Sequence, residues 1–286
     1  MDNRAPIFTG TVLAALLLVA SSAVGWKQTI GQGNKGIRWT GSCYHYSINE
    51  KGSDDLTLED LQTIARDSFS TWEDVPCSYF RFVETAPTAV DRVEFNLDKG
   101  NVNLLVWREK ASDWAYDERA VGMTTTQYDL STGDILDVDM EFNGVSFNFG
   151  TVIPGTSDPV LVDLQSAITH EIGHTLGFED LYGSADRDST MYAYDAPGET
   201  KKRTLTQDDI DGLCTLYPED DDPDVCEPPY CGLDLKGTSS TCNQDGQGQK
   251  DGGSDDGAVS SGGGCQTAAA TYSGSSPFWR LLLRLF

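Results

Sequence analysis

Histidine is scarce in this chain: only three occur among 286 residues, His45, His170 and His174. Imidazole chemistry therefore has to come from a very small set. Positive charge is short as well, with 20 Lys and Arg against 45 Asp and Glu and a net charge of −25. That balance excludes nucleic acid, whose phosphates would be repelled, and a polybasic grip on anionic lipid. The most apolar run, TVLAALLLVA (11–20), is ten residues long, too short to span a bilayer. Seven cysteines occur, none spaced C-x-x-C, which argues against a cysteine zinc site. There is no internal repeat. Length and composition suit one domain of ordinary size with tails.

What is there begins with an export signature. Arg4 supplies a short positive region, the run 11–20 an apolar core, and SSAVG small residues for cleavage after Ala23 or Gly25. Residues 1–25 are thus expected to be a signal peptide, and disulfides become the default use of cysteine in a secreted chain. Composition shifts after Tyr217. PEDDDPDVCEPP and then a Gly/Ser/Asp-rich stretch cannot offset their ordering entropy, so 218–286 reads as a flexible tail, with Cys226, Cys231 and Cys242 able to tie a small loop within it. The chain closes on SPFWRLLLRLF, too short and too charged to span a membrane.

Residues 26–217 carry the globular pattern. CYHYSINE (43–50), CSYFRFVE (77–84) and VNLLVWRE (102–109) read as strands. LTLEDLQTIARDSFSTWEDV (56–75) has a helical apolar stripe, and AVGMTTTQYD with GDILDVDMEF flanks a hairpin turn at 130–133. Residues 161–177 form a helix ended by Gly177, and 204–217 a last helix with Thr204 or Thr206 as N-cap. Strands and helices in this order predict an α/β (α+β) layer with a mixed sheet.

The chemistry lies in HEIGHTLGFED (170–180). At about 100° per residue, His170 and His174 fall about 40° apart on one helix face, opposite Leu161, Leu164, Ile168 and Ile172. Two imidazoles one turn apart can share one zinc ion, and Glu171 between them is placed to take a proton from a zinc-activated water. With three histidines in the chain, chance gives this arrangement about 1 time in 1,000. Gly177 can end the helix in a left-handed conformation and send the chain back, so Glu179 or Asp180 can reach the metal as third ligand.

These residues resemble the metzincin clan of zinc peptidases, whose pattern is H-E-x-x-H-x-x-G-x-x-H with a methionine turn downstream. His170, Glu171, His174 and Gly177 match it. Asp180 stands at the third histidine, as in snapalysin-type members. STMYAY (189–194) resembles the methionine turn, with Met191 as its methionine. YSIN, SFSTWEDV and LTQDDIDGLCTLY are similar to landmarks of matrixin catalytic domains. The resemblance implies a zincin domain over 26–217 with a twisted five-stranded mixed sheet, an active-site helix and a small C-terminal subdomain. It also implies a monomeric endopeptidase acting on protein or peptide, with one catalytic zinc held by His170, His174 and Asp180 and with Glu171 as general base.

Further expectations follow from that likeness. No second zinc is expected, since the histidines of a structural site are absent, and no cysteine-switch propeptide is seen. Calcium is possible but without clear ligands: Asp134, Asp137, Asp139 and Glu141 read as a solvated acidic face. Cys43 and Cys77 precede neighbouring strands and suggest a disulfide. Strand 120–128 is the expected edge for an extended substrate. Asp208 and Asp209 favour the start of the last helix, although relatives use such an aspartate to hold a new N-terminal ammonium. His45 reads as an ordinary histidine, and Tyr192 and Tyr194 as cleft lining. Two other readings stand beside the peptidase: Glu199 as a distant third ligand, or a zinc-binding inactive homologue or surface binding module. GGGCQTAAA with the apolar end resembles a sorting tail, which would allow cell-surface attachment and account for Cys265.

Overall fold

A computed structural model describes residues 25–95, 101–156, 158–226 and 278–285, the last stretch by its backbone. The expected signal peptide and most of the expected tail, including Cys231, Cys242 and Cys265, lie outside the described residues.

Five strands form the mixed sheet: β1 (Cys43–Ile48), β2 (Arg81–Glu84), β3 (Leu104–Arg108), β4 (Ala120–Tyr128) and β5 (Ile135–Asn143). Their order is β2-β1-β3-β5-β4, with every pair parallel except β4–β5. The lone antiparallel pair is the hairpin read from the sequence, turned at 130–133 with Asp129 accepting from the Ser131 and Thr132 amides. Short strands β6 (Asn148–Gly150) and β7 (Leu161–Asp163) pair with each other. Two further strands, β8 (Tyr194–Asp195) and β9 (Phe278–Leu285), extend the main sheet beyond β4.

Helix α1 (Leu58–Glu73) starts at Thr57, whose hydroxyl accepts from the Asp60 amide at 3.1 Å. It buries Leu61, Ile64, Ala65, Phe69 and Trp72, the stripe read from the sequence. The Trp72 indole also donates to the Thr169 carbonyl at 2.8 Å, which fixes α1 against α2 (Leu164–Thr175). Sequence periodicity put that helix at 161–177. It begins three residues later, because Asp163 leaves the β7 strand to cap it, accepting from the Ser166 amide. Helix α3 (Gln207–Leu216) starts at Thr206 in a capping box with Asp209.

Two disulfides differ from the expected Cys43–Cys77 pairing: Cys43 bonds Cys226 and Cys77 bonds Cys214, with Cα separations of 5.1 and 5.4 Å. The β1–β2 register explains why. Cys43 lies opposite Arg81, which leaves Cys77 four residues upstream and beside the end of α3, where its carbonyl accepts from the Glu219 amide. Cys226 therefore does not close a loop within the tail. Residues 218–226 run back along the domain instead: Ser42 and Val225 exchange hydrogen bonds, and Ser42 donates to Asp222 at 2.6 Å.

Candidate metal centre

Gly177 decides the local geometry. Its φ is +93°, and a Cβ there would lie 2.5 Å from the Ile37 carbonyl oxygen, so a side chain is excluded twice. The Phe178 amide bonds the Gly173 carbonyl and the Gly177 amide bonds the His174 carbonyl, both at 3.0 Å. This is a Schellman termination, which satisfies two orphan carbonyls while reversing the chain. The returning segment is then stitched on both sides. The Glu179 amide bonds the Lys27 carbonyl, and Leu181 exchanges hydrogen bonds with Met191 and Ala193.

That reversal brings Asp180 over the two imidazoles. His170 Nε2 and His174 Nε2 are 3.2 Å apart, and Asp180 Oδ1 lies 3.3 and 3.5 Å from them. Tetrahedral zinc with bonds of about 2.0–2.1 Å requires ligand–ligand edges of about 3.3–3.4 Å, which these three distances fit. The hydrogen bonding fits too. His170 Nδ1 donates to the Thr190 carbonyl at 2.6 Å and His174 Nδ1 to the Phe178 carbonyl at 2.9 Å. Each neutral ring thus has its proton on Nδ1 and a bare lone pair on Nε2. Two lone pairs facing each other and a carboxylate oxygen with no hydrogen-bond partner make a cluster that calls for a cation. All three residues are buried.

Electrostatics act differently on the two rings. Burial, with the charge of Lys202, pushes His170 down to about 3. Burial also lowers His174, but Asp180 more than offsets it. Asp180 itself would be raised by burial, yet the two histidines hold it far below the usual carboxylate range. Glu179 sits outside the cluster, as does Glu199, which pairs with Lys201 at 2.6 Å.

Glu171 faces the sheet. Its Oε2 accepts from the Thr124 hydroxyl of β4, while its Oε1 is buried with no hydrogen-bond partner. Burial raises its pKa to about 7. Glycine at 122 makes room for it: a Cβ on Gly122 would come within 2.6 Å of Oε1. Met191 is buried under α2 at Gly173, where any side chain would overlap its sulfur. The wheel placed both imidazoles on an outward face. The methionine turn and the 178–181 segment cover that face, so α2 is buried nearly all round.

Sequence reasoning missed several supporting residues. Thr124 and Gly122 anchor and clear Glu171, and a glycine inside a strand is the available signal for such a close approach. The Tyr182 hydroxyl donates to Asp180 Oδ2 at 3.2 Å. Lys202 is fully buried with its ammonium on the Tyr192 carbonyl at 2.5 Å, and no periodicity announces it. Tyr192 and Tyr194 pack edge-on at 5.5 Å.

Three other expectations resolve nearby. Asp137, Asp139 and Glu141 are buried, so the solvated acidic face does not exist: β5 is an inner strand, and burial pushes Asp137 up to about 7. Asp209 is buried and accepts from Ser189 and Thr190, which ties α3 to the methionine turn, whereas Asp208 accepts from the Trp26 amide at 3.0 Å. His45 is half-buried beside Cys43 and Cys226, whose sulfurs are committed to their disulfide.

A profile of the family described as Matrixin matches residues 38–218. The chain is a matrixin. It is 31% identical over 182 residues to "Metalloendoproteinase 1-MMP" of Arabidopsis thaliana, which covers 63% of this chain and 44% of that protein. It is 47% identical over 64 residues to "Metalloendoproteinase 1" of Glycine max, 22% of this chain and 20% of that one. With "Stromelysin-1" of Rattus norvegicus it shares 37% over 76 residues, 26% and 15% of the two chains. The matrixin described here thus spans less than half the length of these relatives. Its mixed sheet is the one expected of the family, and membership implies zinc. Among the described residues, no helix is long and apolar enough to cross a membrane.

Proposed function

We propose that this matrixin is an exported, monomeric zinc endopeptidase whose single catalytic ion is held by His170, His174 and a snapalysin-type Asp180. The observation that carries the reading is the cluster itself: three buried donors within 4.8 Å of one another, with both Nδ1 protons committed to carbonyls. Zinc bound there would polarise the scissile carbonyl and acidify water.

The chain's own residues do the rest. Thr124 holds Oε2 of Glu171, leaving the unpartnered Oε1 as the atom that takes a proton from water. Burial gives that carboxylate a proton affinity far above a solvated glutamate, which suits a group that must accept a proton and return it to the leaving amine. Asp180 adds a negative charge that three neutral imidazoles would lack, so more of the proton movement falls on Glu171. The Thr190 carbonyl orients His170, and Met191 packs under α2 at Gly173. Residues 26–217 form the catalytic domain in this reading, and the strap to Cys226 closes it.

The test is metal content and protein cleavage by the chain, with Glu171→Ala and Asp180→Ala beside it. Zinc-dependent cleavage lost in Glu171→Ala with zinc retained, and zinc lost in Asp180→Ala, is the expected result. Zinc bound without cleavage of any protein or peptide, whether residues 278–285 are present or removed, would sink the peptidase and favour the binding module.

A further inference from the structure

Within the five-stranded sheet β4 is the outer strand, and its free edge passes Glu171. That edge is occupied. Strand β9 lies antiparallel along β4, with Gln127 opposite Phe278, Thr124 opposite Leu281 and Gly122 opposite Leu283. On its other side β9 runs parallel to β8, with Tyr194 opposite Arg284 and Asp195 opposite Leu285. Its backbone also comes close to α2. A segment from the far end of the sequence therefore fills the gap between the strand that anchors Glu171 and the segment that follows the methionine turn.

We infer that residues 278–285 are an intramolecular ligand of the peptide-binding cleft. The inference rests on the peptidase reading, in which that cleft is where an extended substrate adds to the sheet. Three observations carry it. First, β9 pairs with β4 along most of its length and with β8 at residues 284 and 285, as an extended occupant of a peptide cleft would. Second, the register brings residues 282–284 opposite 120–123, and Gly122 is the residue whose missing side chain leaves room for Glu171. An occupant here stands in the place of the peptide to be cut. Third, the segment carries Arg280 and Arg284 and no acid, on a chain of net charge −25. The cleft thus takes an extended peptide, and its own chain supplies one.

The gap continues beyond β9. A cleft of about 570 Å³ is lined by Arg119, just before β4, by Pro197, just after β8, and by Phe147 and Val160. It lies where a peptide running in the direction of β9 would emerge, so substrates longer than the segment can gain contacts there.

A tethered occupant competes at an effective concentration set by its tether, not by the amount of protein. The full chain is therefore latent until the segment leaves. The experiment uses the full chain carrying Leu282→Pro and Leu283→Pro. Adjacent residues in a strand direct their N–H groups to opposite sides, so one of two adjacent prolines removes a donor from the β4 ladder whichever way the strand faces. Cleavage of a quenched-fluorescent peptide is expected to rise at least tenfold over the parent in kcat/KM. Adding a synthetic 277–286 peptide should restore inhibition competitively. Equal activity of parent and double-proline chain overturns the inference and leaves the peptidase reading intact. Amide exchange, measured separately in a Glu171→Ala background, does not depend on turnover. Protection of 120–128 that the prolines release supports the docked strand even if neither chain cleaves, and identical exchange in the two overturns it.

Discussion

Replacing Gly122 by alanine tests whether the position of Glu171 is set by β4. The new methyl carbon would start 2.6 Å from Oε1 and 3.1 Å from Cδ of Glu171. Ordinary contact needs about 3.5 Å, so the carboxylate must move by about 1 Å. It cannot swing away freely, because Glu171 is fully buried and Thr124 holds its other oxygen. A displacement of about 1 Å at a reacting group costs about 100-fold in rate, or about 2.7 kcal/mol. The measurement is kcat and KM on a quenched-fluorescent peptide, made in the Leu282→Pro/Leu283→Pro background so that β9 does not mask the change. Zinc content should stay at one ion per chain, since Gly122 touches none of the proposed ligands. The cycle with Glu171→Ala gives the decisive control: if Gly122 is a positioning residue acting through Glu171, its substitution costs nothing once the carboxylate is gone. A kcat within threefold of the parent, or a full loss that persists in the Glu171→Ala background, would refute the reasoning.

Other outcomes follow from the same geometry. Glu199→Ala is expected to keep its zinc by mass spectrometry, because its carboxylate is engaged with Lys201 and lies outside the donor cluster. For Asp137, burial sets the folded pKa at about 7, well above the unfolded value of about 3.9. The folded state therefore holds a proton that the unfolded chain releases, so stability falls as pH rises from about 4 to about 7. Asp137→Asn should consequently raise Tm by roughly 3–8 °C at pH 8 in thermal unfolding, with little change at pH 4. Loss of the Cys43–Cys226 bond, whose loop the remaining Cys77–Cys214 bond shortens to about 50 residues, should cost about 4 kcal/mol in chemical denaturation of Cys43→Ser, and a cost below about 1 kcal/mol would argue that 218–226 docks without it.

Much of this architecture was legible in the sequence, for reasons that differ by element. The α1 stripe and the β4–β5 hairpin were readable because periodicity and turn chemistry are local properties. The histidine pair on α2 was readable because helical spacing alone sets its geometry. Helix geometry narrowed the third donor only to Glu179 or Asp180, since the choice depends on how the Schellman turn directs the returning chain, and it was the family resemblance that singled out Asp180. Burial of Asp137 and Asp139 was hidden, because an acidic alternation on a strand looks the same whether the face meets water or the rest of the fold. The disulfides were misread for a related reason: proximity of strands does not give their register, and a four-residue offset moves Cys77 to α3. Lys202 and β9 depend on tertiary context alone, which no single-chain pattern encodes.

The Gly177 turn has a consequence for how such a protein comes together. The proposed ligands occupy eleven consecutive residues, so gathering them closes only short loops and carries little entropic cost compared with pairing β1 to β3 across more than fifty residues. A helical turn ending in a glycine can present both imidazoles and a nearby carboxylate before the sheet has formed, on the timescale of local helix formation. Metal capture need not wait for the completed fold. It can act as an early clamp on the reversed chain, around which the slower, long-range strands then assemble.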